Sequence, residues 1–125
     1  MPERRRREIA GLISILIYAG IFLMSSMPAS ALPARIPDII PHCAEYALLA
    51  FFFIQVFRDP AGPRTTAIAF ALLLLLGFLD ELHQRFVPGR FFRLSDLLFD
   101  ALGSAGGLLA YRWLRRWSDK KRRGR

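Results

Sequence analysis

The chain has 125 residues, a hydrophobic content of 54% and a formal net charge of +8. This length corresponds to one domain, and the single cysteine, Cys43, excludes an intrachain disulfide. The basic residues are concentrated at the ends, with Arg4 to Arg7 before the first apolar run and eight Lys or Arg between Arg112 and Arg125. That distribution is typical of a polytopic membrane protein whose cytoplasmic termini meet anionic lipid headgroups, rather than of a nucleic-acid-binding protein. We therefore expect membrane lipids, and no nucleic acid, as partners.

The first two apolar runs have about the length of a transmembrane helix, which needs about 20 residues. Ile9–Met27 holds nineteen residues without a charge. The second run, Ile39–Phe57, is interrupted by His42, Glu45 and Gln55. Prolines at positions 28, 33, 37 and 41 predict a connector between the runs, because proline ends helices and favours turns.

The second half of the chain contains two further runs. Thr65–Leu79 follows a polar turn at residues 58–64, and a fourth run extends from Leu97 to about Tyr111. Ser95 and Asp96 predict the start of the last helix, because serine is a favoured N-cap and an acidic residue suits the positive end of the helix dipole. The pattern predicts an all-α protein, a bundle of four transmembrane helices at residues 9–111, between a basic N-terminus at residues 1–8 and a basic tail at residues 112–125.

Positive charge in the short loops predicts the orientation in the membrane. When both termini and the turn at residues 58–64 are cytoplasmic, fourteen Lys or Arg lie inside. Four arginines, at positions 35, 85, 90 and 93, then lie outside. In a bacterium this describes a multi-pass protein of the cytoplasmic (inner) membrane. The alternative is a cleavable secretory signal, since Ala29-Ser30-Ala31 follows the first basic and apolar segments. Cleavage would leave three spans in the same orientation.

Acidic residues are unusually frequent in and beside the three later runs. Six of the ten in the chain lie there, where a charged group is costly unless it faces the bundle or water. They are Asp38, Glu45, Asp80, Glu81, Asp96 and Asp100. His42 and Gln84 share helix faces with these acids, because offsets of three or four residues return to the same side of a helix.

The fourth run also carries small residues on the stripe that bears its acids. Gly103 and Gly107 follow Asp96 and Asp100 at helical spacing. Small residues four apart let another helix approach closely, so we interpret the two glycines as helix-packing residues.

The predicted topology brings the polar residues together on the extracytoplasmic side. The second helix starts there, the third ends there and the fourth starts there, so their acids and His42 converge with Arg85, Arg90 and Arg93 of the last loop. We predict one outward-facing polar site, in which Arg90, assisted by the other two arginines, holds a phosphate or carboxylate. A purely structural ion-pair network is the alternative interpretation. Cys43 is interpreted as a packing residue, since it points to a different helix face from His42.

The residues of this site could support acid–base catalysis, but their spacing matches no metal-binding motif. His42 and Glu45 are candidates for proton transfer, with Asp80 and Glu81 as partners, because clustered carboxylates can act as an acid and a base. Metal binding by the same residues is geometrically conceivable, but no strict ligand spacing such as His-Glu-x-x-His is present. The sequence therefore predicts neither a metal nor a cofactor.

Four short motifs match a known family pattern. They are Ser25-Ser26-Met27-Pro28, Asp38-x-x-x-His42-x-x-x-Tyr46, Asp80-Glu81-x-x-Gln84-x-Phe86-x-Pro88-Gly89-Arg90 and Ser95-Asp96-x-x-x-Asp100-x-x-Gly103-x-x-x-Gly107. Together they resemble the VanZ-like family, over a region from about Ile9 to Tyr111. Asp100 departs from the family pattern, which commonly has Asn there. With the motif residues Tyr46 and Ser95 added, the candidate ligand-binding residues are Asp38, His42, Glu45, Tyr46, Asp80, Glu81, Gln84, Arg90, Ser95, Asp96 and Asp100.

The resemblance implies a small four-helix protein of the bacterial inner membrane. The founding member of the family is associated with low-level resistance to teicoplanin, a lipoglycopeptide that acts outside the cell membrane. We therefore expect binding of an outer-leaflet lipid, a cell-wall precursor or a lipoglycopeptide. One alternative is an intramembrane hydrolase or transferase that uses the carboxylates on a lipid-linked substrate. Another is a proton-coupled transporter, although the inner half of the bundle offers little beyond Gln55. The sequence leaves the oligomeric state open.

Overall fold

The computed structural model describes residues 1–32 and 37–124, and all regular secondary structure in those ranges is helical. The four α-helices are α1 (Glu3–Ser25), α2 (Ile39–Phe53), α3 (Pro63–Gln84) and α4 (Leu94–Arg123). Short 3-10 turns cover Ala29–Ala31 and Ile54–Val56. The all-helical prediction is confirmed. The connector residue Arg35 lies outside the described ranges.

The apolar helices indicate a membrane protein. Within the described ranges, three segments are long and apolar enough to cross a membrane, namely Glu3–Ser25, Ile39–Val56 and Pro63–Gln84. Large apolar side chains point outward from them, and Ile15 and Leu16, for example, are 67% and 62% exposed. Such a surface suits contact with lipid hydrocarbon and would be unusual in a soluble monomer. α4 completes the bundle, and its 30 residues rise about 45 Å.

α1 and α4 both extend from their apolar runs into basic sequence. α1 begins at Glu3 rather than at Ile9, because arginine and glutamate are good helix formers. The basic start of α1 is also tied to the bundle, since Arg6 donates a hydrogen bond to the Tyr111 hydroxyl (3.0 Å) and Arg7 donates one to the Val56 carbonyl (2.9 Å). α4 continues without a break through residue 112 and into the basic tail.

The start of α4 differs from its predicted form. Ser95 is not the N-cap, since the helix begins at Leu94 and Arg93 occupies the cap position without a side-chain cap. Instead, the Glu81 carboxylate on the neighbouring α3 accepts a hydrogen bond from the Arg93 backbone N–H (3.2 Å). A carboxylate at the positive end of a helix stabilises it in the same way as an acidic cap within the helix. The Ser95 hydroxyl donates to Asp96 Oδ1 (3.2 Å).

α2 and α4 pack closely because two glycines of α4 face the α2 backbone. A Cβ at Gly103 would lie 2.9 Å from the Cα of Cys43, and a Cβ at Gly107 would lie 3.0 Å from the Cα of Ala47. A Cβ atom could not be accommodated at these distances. The two helices can approach this closely because glycine has no side chain. The neighbouring hydrophobic core is formed by Ile21, Tyr46, Leu49, Ala50, Ile54, Ala69, Leu73, Leu108 and Tyr111.

Candidate functional site

A cavity of about 310 Å³ lies at the end of the bundle where α1 and α3 end and α2 and α4 begin. This is the convergence that the helix order and the loop topology predict. The predicted candidates that line the cavity are Asp38, His42, Glu45, Gln84, Arg90 and Asp96. The apolar part of the wall includes Met24, Leu32 and Phe91.

Gln84 connects the cavity to the buried carboxylates behind it. Its side chain is buried, and its amide nitrogen donates to Asp80 Oδ2 (3.1 Å) and to Glu81 Oε1 (3.0 Å). Its amide oxygen accepts hydrogen bonds from both Nε and Nη2 of Arg90. The amide thus uses its donors on two acids and its acceptor on the arginine, which orients the Arg90 guanidinium beside the cavity.

His42 lies between two carboxylates of α4. Its Nδ1 is 2.8 Å from Asp100 Oδ1, and its Nε2 is 3.8 Å from Asp96 Oδ2. Asp100 is buried and lies behind the histidine, whereas His42 and Asp96 both line the cavity. A carboxylate on one imidazole nitrogen fixes the ring orientation and directs the other nitrogen towards the cavity.

Arg93 closes the rim of the cavity through two separate contacts. Its guanidinium forms an ion pair with Asp38 (2.6 Å), in which both side chains are about half exposed. Its backbone N–H binds Glu81, as described above for the start of α4. The side-chain pair is exposed, so we expect it to stabilise the fold by less than about 1 kcal/mol.

Several polar atoms of this region have no hydrogen-bond partner among the described residues. Asp80 Oδ1, Asp100 Oδ2 and the Tyr46 hydroxyl are buried in this state. The other Asp80 oxygen, Oδ2, accepts hydrogen bonds from the Ser25 hydroxyl (2.7 Å) and from the Gln84 amide. Buried oxygens without donors are costly, which suggests that the cluster serves more than packing.

The loop after α3 is held against the connector after α1 by a tight turn. Gly89 has a φ of 75°, and a Cβ there would lie 3.0 Å from the Ala29 Cβ. The Ala29 N–H donates to the Pro88 carbonyl (3.3 Å). Glycine is suited to both demands, a left-handed backbone and a close approach. The turn places the next residue, Arg90, in the cavity wall.

The remaining predicted candidates lie outside the cavity. Tyr46 is fully buried in the hydrophobic core, and Ser95 is exposed at the start of α4. Arg85 is exposed, and its side chain forms no hydrogen bond or ion pair within the described ranges. Ser25 lines the cavity and binds Asp80, and it was missed as a site residue. Its only sequence signal is its place in the Ser25-Ser26-Met27-Pro28 motif.

An apolar groove adjoins the polar cavity. It has a volume of about 480 Å³ and is lined by residues of α1, α2 and α3, among them Tyr18, Phe22, Leu23, Leu49 and Leu76. At the end of α1, residue 23 lines the groove and residue 24 lines the cavity, so the two lie on neighbouring faces of this helix end. On α2, the groove residue Leu49 lies one helical turn from the cavity residue at position 45. A polar chamber thus adjoins a lipid-facing apolar surface.

A family model described as VanZ/LLP1 matches residues 10–115 of the chain. The match covers most of the chain and includes every cavity residue of the four helices and their loops. It confirms the resemblance derived from the motifs. No curated protein and no solved structure matches the chain.

Proposed function

The chain belongs to the VanZ/LLP1 family, and on that basis we propose that it is a four-span protein of the bacterial cytoplasmic membrane that binds an amphiphile of the outer leaflet. α4 is the fourth span in this proposal. Both termini and the turn at residues 58–64 lie in the cytoplasm, because fourteen of the eighteen Lys and Arg residues are then inside. The polar cavity consequently opens at the outer face.

The observation that carries the proposal is the position of Arg90. Its guanidinium lines the cavity, and its hydrogen bonds within the described residues go to the neutral Gln84 oxygen rather than to a carboxylate. The guanidinium forms no ion pair within the described residues, although Glu45 and Asp96 line the same cavity, so it is available to an anionic ligand group. The remaining guanidinium N–H groups can donate to a phosphate or a carboxylate.

The adjoining groove explains why the ligand should be an amphiphile. Its lining has the apolar side chains that an acyl or isoprenyl chain would contact, such as Phe22 and Leu49. Burial of hydrocarbon against such side chains would add affinity and fix the headgroup at the cavity. Glu45 and Asp96 also line the cavity and can bind an amine if the headgroup carries one. Outer-leaflet lipids, lipid-linked cell-wall precursors and lipoglycopeptides share this combination of features.

Binding by the purified full-length chain tests the proposal directly. The probes are an isoprenyl phosphate and the uncharged alcohol with the same chain, measured by native mass spectrometry in detergent. We expect the phosphate to bind more tightly than the alcohol, and Arg90→Ala to reduce phosphate affinity at least tenfold. The matched control is Arg85→Ala, which removes the same charge from the same loop outside the cavity. Equal affinity of folded Arg90→Ala and wild-type protein would refute the proposal.

The same pair of variants tests the proposed link to glycopeptide resistance. A susceptible bacterium would express wild-type, Arg90→Ala or Arg85→Ala protein at matched membrane levels, and the inhibitory concentration of teicoplanin would be measured. We expect the wild-type and Arg85→Ala proteins to raise that concentration and Arg90→Ala to lose the effect. Absence of protection by the wild-type protein would remove resistance from the proposal while leaving lipid binding intact.

A second candidate function is hydrolysis or group transfer on a lipid-linked substrate. The pairing of Asp100 with His42 favours it, because a buried carboxylate on Nδ1 leaves Nε2 facing the cavity as a proton acceptor. Turnover of an isoprenyl diphosphate by purified protein, lost in His42→Gln while lipid binding persists, would support it. Binding without turnover in the wild-type protein would exclude this reaction.

A further inference from the structure

Three helices bring potential metal ligands together behind the cavity. His42 of α2, Glu81 of α3 and Asp100 of α4 each offer one ligand atom, and these atoms lie within 4.8 Å of one another. Metal–ligand bonds to nitrogen and carboxylate oxygen are about 2.0–2.2 Å, so two ligands on opposite sides of one ion are about 4 Å apart. Neighbouring ligands of a tetrahedral ion lie closer, about 3.4 Å apart, so the three side chains would have to converge to share a single ion.

The charges of the region also favour a cation. Six carboxylates lie in this part of the described structure, and Arg93 pairs with only one of them, Asp38. The Arg90 guanidinium binds the neutral Gln84 oxygen. The other acids are Glu45, Asp80, Glu81, Asp96 and Asp100. The nearby Arg90 is a permanent cation, whereas His42 is charged only when it is protonated. Ionised together, these carboxylates would repel one another at membrane depth, and a bound divalent cation would offset that repulsion.

Both ligand carboxylates are buried and oriented by hydrogen bonds. One of their oxygens has no hydrogen-bond donor among the described residues. Glu81 and Asp100 are 0% and 1% exposed. Both Glu81 oxygens accept hydrogen bonds from neighbouring groups, an arrangement that orients metal-binding carboxylates in known sites. Asp100 Oδ2 has no donor among the described residues and lies 3.0 Å from the position that a Cβ on Gly77 would take. The lone pairs of this buried oxygen are therefore not used by a hydrogen bond within the described residues.

The geometry points to a divalent-cation site at His42, Glu81 and Asp100, which joins α2, α3 and α4 behind the amphiphile cavity. One imidazole and two carboxylates suit Zn²⁺ or Mn²⁺ better than Ca²⁺, which prefers six to eight oxygen ligands. Sequence spacing predicted no metal site. The three ligands come from three different helices and therefore form no local motif. A bound cation would also favour an anionic headgroup in the adjoining cavity, although metal binding does not depend on that ligand.

Metal titration of the purified full-length chain tests this site without any amphiphile. After treatment with a chelator, the protein would be titrated with Mn²⁺ or Zn²⁺ by isothermal calorimetry in detergent. We expect one equivalent to bind, with affinity at least tenfold weaker in Glu81→Gln and Asp100→Asn. Asp59→Asn, the same chemical change at an exposed residue of the opposite turn, should bind like the wild type. Absence of stoichiometric binding of both ions, or unchanged affinity in the folded ligand variants, would overturn the site.

A spectroscopic measurement keeps the test independent of variant folding. Electron spin-echo spectroscopy of the Mn²⁺-loaded wild-type protein should detect the nitrogen of a coordinated imidazole. The chain has two histidines, and His83 is bound instead to Ser26 (3.0 Å), so His83→Gln should keep the signal. A Mn²⁺-loaded protein without imidazole coupling, or with a signal that His83→Gln removes, would also overturn the proposal. Loss of phosphate binding in Arg90→Ala is a separate result, so the two proposals fail independently.

Discussion

At the scale of single residues, Gln84 determines how the charged groups of the site are arranged. Its neutral amide separates Arg90 from Asp80 and Glu81, to which the arginine would otherwise bind directly. An arginine already paired with a carboxylate would have less attraction for an anionic ligand. The amide therefore keeps both an arginine and two acids available within one small region.

Replacement of Gln84 by leucine should disturb the site although Arg90 remains. The leucine keeps the approximate volume but removes one of the donors to each of two buried carboxylates and the acceptor of the guanidinium. We expect destabilisation of about 1–3 kcal/mol, seen as a lower thermal denaturation midpoint in detergent. We also expect isoprenyl phosphate affinity to fall about tenfold. In an Arg90→Ala background the same change should cost little further affinity, and additive losses would contradict the positioning role.

At the scale of helices, the contact between α2 and α4 holds His42 beside Asp96 and Asp100. Each glycine of the α4 stripe faces the α2 backbone about one to three turns from these acids. The close approach of the helices explains how the short aspartate side chains reach the histidine. Packing and site geometry therefore depend on the same face of α4.

Alanine substitutions at two adjacent glycines separate this packing effect from helix propensity. Gly107→Ala places a Cβ against the Ala47 backbone, whereas a Cβ at Gly106 meets nothing within 4 Å. We expect Gly107→Ala to destabilise the protein by about 1–3 kcal/mol, because overpacking forces the helices apart. Gly106→Ala should leave stability unchanged or raise it by up to about 1 kcal/mol, since alanine is the better helix former. Thermal denaturation in detergent gives the comparison, and equal destabilisation by both changes would argue against close packing.

At the scale of the whole molecule, the two ends of the bundle are chemically different. One end has the cavity, the acids and the loop arginines. At the other end, Arg6 and Arg7 bind Tyr111 and Val56, and the basic end of α4 extends beyond the core. One labelled position at each end of the bundle is therefore enough to show which end faces the outside of the cell.

Cysteine labelling in intact cells should report the proposed orientation. Cys43 is the only cysteine, so Cys43→Ser supplies a cysteine-free background. Phe86→Cys lies in the loop near the cavity, where the native side chain is 79% exposed, and Asp59→Cys lies in the opposite turn. We expect a membrane-impermeant maleimide to label the first in intact cells and the second only after permeabilisation. The reverse pattern would invert the topology and place the cavity inside.

The sequence by itself determined the features that arise within one helix or from composition. Apolar runs predicted helices because a span must bury its backbone polar groups, and helical periodicity predicted neighbours such as Asp80 and Gln84. Helix ends were less accurate. α1 starts at Glu3 rather than at Ile9, and α4 starts without the predicted serine cap, since the Glu81 carboxylate of another helix binds its first turn instead.

Only the tertiary structure decided which polar groups meet across helices. Arg90 binds Gln84 rather than an acid, His42 meets Asp100, and three ligand atoms converge from α2, α3 and α4. Periodicity gives the face on which a side chain lies, but the depth and rotation of one helix against another depend on packing. Here that packing is set by the close approach at Gly103 and Gly107, which brings residues 58 positions apart in the chain to within 2.8 Å.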